Sequence, residues 1–126
     1  MDEKEILSRL TDQPLAELMA EADAVRAGSK GDGVYLRGIV EFSNRCVRSC
    51  LYCGLRRANT RVTRYRMSPD EVVAAALRTA RLGVGTVVLQ SGDDLDYPAA
   101  DIARIVGRIK AEADVKVTLS LGERPF

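Results

Sequence analysis

The sequence contains no histidine and no tryptophan, and only three cysteines in 126 residues. Without histidine or a fourth cysteine, neither of the usual structural zinc sets, four thiolates or thiolates with imidazole, can be assembled from this chain alone. An odd number of cysteines, with no apolar signal region after the charged start Met1-Asp2-Glu3-Lys4-Glu5, argues against a disulfide scaffold. No apolar run approaches the length of a membrane span. The net charge is only +1, so the chain as a whole has no pull toward nucleic acid or an anionic membrane. These features together fit a reducing cytoplasm. The glycines of Ala27–Gly33 are not a phosphate loop, because no Lys-Ser pair follows and a strand comes next instead of a helix. There is no low-complexity tract, and no repeat beyond the alternation of strands and helices.

Apolar residues make up 46% of the chain, enough for a real core. Their spacing predicts two short helices over 3–10 and 14–27, with Ile6, Leu7 and Leu10 on the first and Leu15, Leu18, Met19, Ala22 and Val25 on the second. Thr11 or Asp12 is the expected cap, Pro14 the expected first-turn residue, and the apolar face is expected to be core. A loop over 27–33 then leads to a strand over Val34–Phe42, with Glu41 near its end. Ser68-Pro69-Asp70-Glu71 is a capping box that opens a helix buried through Val72, Val73, Ala76, Leu77 and Ala80 and closed by Gly83. Thr86–Gln90 reads as a strand covered on both faces. Tyr97-Pro98 opens another helix, with Ile102, Ile105, Val106 and Ile109 on one side, and Val115–Leu121 forms a third strand. The class is α/β: a helical extension over 1–33, then three βα units over 34–126. So few strands suggest the opening part of a longer protein.

All three cysteines lie in Ser43–Gly54, S-N-R-C-V-R-S-C-L-Y-C-G, as C-x3-C-x2-C. The loop leaves the end of a strand, where parallel α/β proteins build ligand sites. Cysteines among Arg, Ser and Asn are not packing residues. Three thiolates select zinc, copper(I) or an iron–sulfur cluster. A 4Fe–4S cluster ordinarily takes four cysteines, so three would leave one iron with an open position. Two other readings stay open: a zinc knuckle that borrows a carboxylate, and a module that binds RNA through Arg56, Arg57, Arg61, Arg64 and Arg66 beside Tyr65. A simpler role for those arginines is to offset the negative charge of a thiolate-bound cluster.

The cysteine spacing, with the aromatic Tyr52 before the last cysteine, resembles the radical S-adenosylmethionine (SAM) superfamily. Longer runs, R-G-I-V-E-F-S-N-R-C (37–46), C-L-Y-C-G-L-R-R-A-N (50–59), R-Y-R-M-S-P-D-E (64–71), V-V-L-Q-S-G-D-D (87–94) and T-L-S-L-G-E (118–123), are similar to its hydrogenase maturases of the HydE type. Biotin synthase and methylornithine synthase have similar openings. The resemblance implies the N-terminal portion of a TIM-like (β/α) barrel whose bottom the helical extension closes. It implies a 4Fe–4S cluster on Cys46, Cys50 and Cys53, and SAM cleaved reductively to a 5′-deoxyadenosyl radical. It also implies contacts to SAM from Tyr52, from Ser91, Gly92 and Asp93 after the second strand, and from Ser120 and Glu123 after the third. Where maturases usually read Ser-Gly-Glu, this chain has Ser91-Gly92-Asp93, and the contact is expected to be mostly backbone. The implied partners are a small-molecule or organometallic substrate, an electron donor such as ferredoxin or flavodoxin, and other hydrogenase maturases.

Overall fold

The structure, a computed structural model, describes residues 1–123, so the last three residues of the region 34–126 lie outside it. The chain divides into two compact units, 1–34 and 35–126.

The first unit holds α1 (Glu3–Asp12) and α2 (Leu15–Lys30). Asp2 caps α1 by accepting the Glu5 N–H at 2.8 Å. Thr11 and Asp12 lie inside α1, not at its cap, and the Thr11 hydroxyl donates back to the Leu7 carbonyl. Pro14 is the residue just before α2. The expected loop over 27–33 is mostly helix: α2 runs on through Gly28, since each added residue gains one backbone bond. It stops at Gly31, whose N–H still donates to the Ala27 carbonyl while its φ of 71° turns the chain out of the helix. Arg9 and Gln13 both donate to Glu21, joining the helices. The expected core face is not buried: neither helix has a buried residue, and Leu10, Leu15 and Val25 are exposed. Ile6, Leu10, Leu18, Ala22 and Val25 instead line an open groove of about 390 Å³.

The second unit is a three-stranded parallel sheet with two helices. Its strands β1 (Arg37–Ser43), β2 (Thr86–Ser91) and β3 (Lys116–Ser120) lie side by side in that order, with α3 (Pro69–Ala80) and α4 (Ala99–Glu112) as the crossovers. β1 begins three residues later than the sequence suggests. Its ladder starts where Arg37 meets Thr86, so Val34–Leu36 have no strand to pair with and are exposed. The alternation divides the sheet. Val40, Phe42, Val87 and Leu89 are buried with Val72, Val73 and Ala76 of α3 and Ile102, Ile105 and Ile109 of α4. Phe42 meets Tyr97 edge to face with centroids 4.9 Å apart, and burying such a ring contributes roughly 2 kcal/mol. The opposite row at the carboxyl ends, Glu41, Gln90 and Ser120, is in register across all three strands. Both ends of α3 match expectation: the Ser68–Glu71 capping box is complete, and Gly83 has a φ of 81°. Three parallel strands alternating with helices, stacked in sequence order, form the N-terminal portion of a TIM-like barrel.

Candidate cluster and ligand site

Between Ser43 and Pro69 the backbone has no helix or paired strand beyond one bridge, Ser43 to Arg66. Buried Asn44 and half-buried Arg64 shape it. Asn44 takes the Tyr65 N–H on its side-chain oxygen at 2.7 Å and gives its amide to the Thr63 carbonyl at 2.8 Å. Arg64 donates to four carbonyls, those of Asn44, Leu55, Arg56 and Asn59. Its five N–H groups in a rigid plane suit this use, which a lysine would not match.

That scaffold carries the cysteines, and all three thiols are free. Cys46 and Cys53 are half-buried and Cys50 is exposed. The Cys46 sulfur accepts the backbone N–H groups of Arg48 and Asp93, each at 3.4 Å, and the Cys53 sulfur accepts that of Leu55 at 3.4 Å. Such donors suit sulfur that carries negative charge. Among the described residues, no three His, Cys, Asp or Glu side chains converge on one point as a single ion would require. A cubane makes no such demand, because each thiolate holds a different corner. A set of sulfur donors with backbone N–H support therefore fits an iron–sulfur cluster. Tyr52 is 93% exposed.

The turn after β2 presses onto this loop. The Gly92 N–H donates to the Ser43 carbonyl and the Val47 N–H to the Asp93 carbonyl, both at 3.0 Å. A Cβ on Gly92 would lie 2.2 Å from the Arg45 carbonyl oxygen and 2.8 Å from Cys46 Cβ, so only glycine allows the approach. Ser91 gives its hydroxyl to the Gly92 carbonyl at 2.7 Å. Asp93 is 4% exposed. Its Oδ2 accepts from Arg48 at 2.5 Å, while its Oδ1 is buried without a partner. An unsatisfied buried carboxylate oxygen is costly and calls for a partner. Glu123 pairs with the other branch of Arg48 at 2.7 Å. Ser120 is exposed on the row of Glu41 and Gln90. Asp93 and Glu123, after β2 and β3, thus adjoin the cysteine loop through Cys46 and Arg48, whereas Tyr52 and Ser120 are exposed.

Asp94, which the sequence does not single out, holds the arrangement from behind. Its carboxylate accepts from the Ser43 hydroxyl at 2.6 Å and from two nitrogens of Arg66, at 2.7 and 2.5 Å. Burial alone would push its carboxyl up, but Arg66 and Ser43 outweigh this and hold it below the usual carboxylate range. A depressed folded value means that the stabilisation is complete above the unfolded value and is lost as the pH falls through the folded one. Asp94→Ala is expected to cost about 3 kcal/mol in urea denaturation at neutral pH, because it leaves Arg66 half-paired and the Ser43 hydroxyl unmatched. Asp94→Asn should also flatten the acid side of the stability–pH curve; an unchanged acid limb would show that this carboxylate is not its source.

The arginines divide by use. All of Arg45, Arg57, Arg64 and Arg66 line a cleft of about 240 Å³ with Cys46, Asp93 and Asp94, but Arg64 and Arg66 are committed to carbonyls and carboxylates, while Arg45 and Arg57 have no ion-pair partner among the described residues. Sequence reasoning missed Arg48, Asn44 and Asp94. One signal was available: adjacent Asp93 and Asp94 at the end of a buried strand need cations, and the neighbouring loop is rich in arginine.

Residues 40–124 match the radical SAM superfamily. The chain is 48% identical over 123 residues to the [FeFe] hydrogenase maturase subunit HydE of Thermotoga maritima, covering 97% of this chain and 35% of that protein. It is 34% identical over 119 residues to biotin synthase 2 of Corynebacterium diphtheriae, covering 90% of this chain and 36% of that protein. The crystal structure of methylornithine synthase (PylB) superposes with a TM-score of 0.78 at 25% identity, covering 87% of this chain and 33% of that one. The chain thus spans about a third of the length of these relatives. Among the described residues no helix is long and apolar enough to cross a membrane. With the family match covering most of the chain and the cysteine loop inside it, this protein belongs to the radical SAM superfamily.

Proposed function

We propose that this chain forms the cluster- and SAM-binding part of an enzyme that matures the diiron site of hydrogenase. The observation that carries the reading is a loop with three free thiols whose Cys46 packs, through Gly92, against a turn that buries an unpaired carboxylate oxygen. Cys46, Cys50 and Cys53 would hold the cluster as thiolates, and the backbone N–H groups of Arg48, Leu55 and Asp93 would stabilise two of them. When bound, the cluster supplies one electron and an open iron for the reductive cleavage of SAM. Asp93 would receive the methionyl amine on Oδ1. The Gly92 carbonyl already accepts from Ser91 and Asp94, but the Asp93 carbonyl, which accepts from Val47, has a second lone pair, so both the backbone and the side chain of Asp93 would serve this contact. Tyr52 would lie beside the cluster, with Ser120 and Glu123 facing SAM or the substrate. The electron donor would be a ferredoxin or flavodoxin, the substrate a small organic or organometallic molecule, and other hydrogenase maturases would be partners. Higher identity to the HydE maturase than to biotin synthase favours this branch.

The test is anaerobic reconstitution with iron and sulfide, then low-temperature EPR of the reduced chain with and without SAM. The expected result is about four irons and four sulfides per chain, and a signal that shifts when SAM is added. A colourless protein holding one zinc would replace this reading with the zinc or RNA-binding module.

A further inference from the structure

Arg48 lies between two of the candidate cluster ligands, yet nothing in the cysteine pattern requires an arginine there. Its main chain is anchored twice: the N–H donates to the Cys46 sulfur, and the carbonyl accepts the Arg57 N–H at 2.7 Å. Its guanidinium leaves the loop and spans two others. Nε donates to Asp93 Oδ2 in the turn after β2, and a terminal nitrogen donates to Glu123 Oε2 after β3. Asp93 closes the circuit by giving its own N–H to the Cys46 sulfur.

The consequence is specific to Asp93. A carboxylate with both oxygens free can rotate about χ2, a broad torsion with no sharp well. Here Oδ2 is taken by a charge-assisted bond, so the other oxygen has one direction left, and that is the oxygen without a partner. Gly122, at a φ of 76°, passes close to this side chain: a Cβ there would lie 2.9 Å from both Cβ and Cγ of Asp93. Rotation is opposed by the bond from Arg48.

We infer that Arg48 is a positioning residue that aims Asp93 Oδ1 at a cationic group of the bound ligand and ties that aim to the cysteine loop. The inference rests on the function proposed above, with the methionyl amine as that cation. Arg48 itself need not touch the ligand.

The experiment is a double-mutant cycle on the reconstituted chain, with SAM affinity read from the EPR shift and cluster content from iron and sulfide. Arg48→Met should keep its cluster and bind SAM about tenfold more weakly or worse, the usual scale for losing a hydrogen bond to a charged group. In an Asp93→Asn background the same substitution should change affinity less than twofold, because the group it aims is already altered. If Arg48→Met fails to assemble the cluster, Arg48→Gln, which keeps one N–H donor for the loop, carries the same comparison. Full SAM affinity in the Arg48 variant, or losses that multiply in the double variant, would overturn the inference while leaving the proposed function intact. A wild-type chain with no cluster, or with a signal indifferent to SAM, would instead overturn the proposed function and this inference with it.

Discussion

Gly92→Ala is expected to destabilise the fold by about 3 kcal/mol and to abolish stable cluster assembly. The added methyl has nowhere to go. It would meet the Arg45 carbonyl oxygen at 2.2 Å and Cys46 Cβ at 2.8 Å. A flexible side-chain tip could swing aside, but a backbone carbonyl in a packed turn cannot, and overpacking of this kind typically costs 1–3 kcal/mol. Relief has to come from moving the cysteine loop off the end of β2. That would break the Gly92 bond to Ser43 and the bonds from Val47 and Asp93 that hold Cys46 in place. Urea denaturation of the metal-free chain measures the first effect and iron content after reconstitution the second. Gly54→Ala is the control, because a Cβ there meets nothing within 4 Å. Wild-type stability in Gly92→Ala would mean that the two loops are not in contact as described.

Cys50→Ala is expected to eliminate stable 4Fe–4S incorporation altogether, with little change in the stability of the metal-free chain. The two halves of this expectation have different origins. Cys50 is exposed, so its thiol contributes no core packing, and the main chain makes the one local bond, from the Cys53 N–H to the Cys50 carbonyl at 3.1 Å. The substitution leaves that bond untouched, and surface changes of this sort usually lie within about 0.5 kcal/mol. Two remaining thiolates, however, leave two irons without protein ligands. Iron and sulfide analysis paired with a urea melt on the same sample separates the two claims. Full cluster content in Cys50→Ala would remove this cysteine from the ligand set.

Short-range chemistry made much of this readable. The Ser68–Glu71 capping box and the stripe Ile102–Ile105–Ile109 each encode their structure within a few residues and form as expected; the run Thr86–Gln90 forms its strand, but only its Val87–Leu89 face is buried, not both faces. The errors fall where the outcome depends on distant partners. Val34–Leu36 are apolar enough for a strand but have none to pair with. The stripe on α1 and α2 has helical period, but periodicity says nothing about whether another surface is present to bury it. At the site, cysteine spacing marks the loop, whereas Arg48, Asn44 and Asp94 act across separations of twenty to fifty positions that no local pattern reveals.

Asn44 and Arg64 have one more effect, on the thermodynamics of loading. In small zinc domains the metal must fold its own site, so ordering the loop is deducted from its affinity. Here two side chains tie together a long irregular segment using only protein groups. Protein groups thus supply part of the loop's order, and that part of the ordering entropy would not be subtracted from the binding energy of the cluster. Metal-free protein should then already protect the Tyr65 amide, which donates to Asn44, from hydrogen exchange. Assembly would complete a cradle that exists in part.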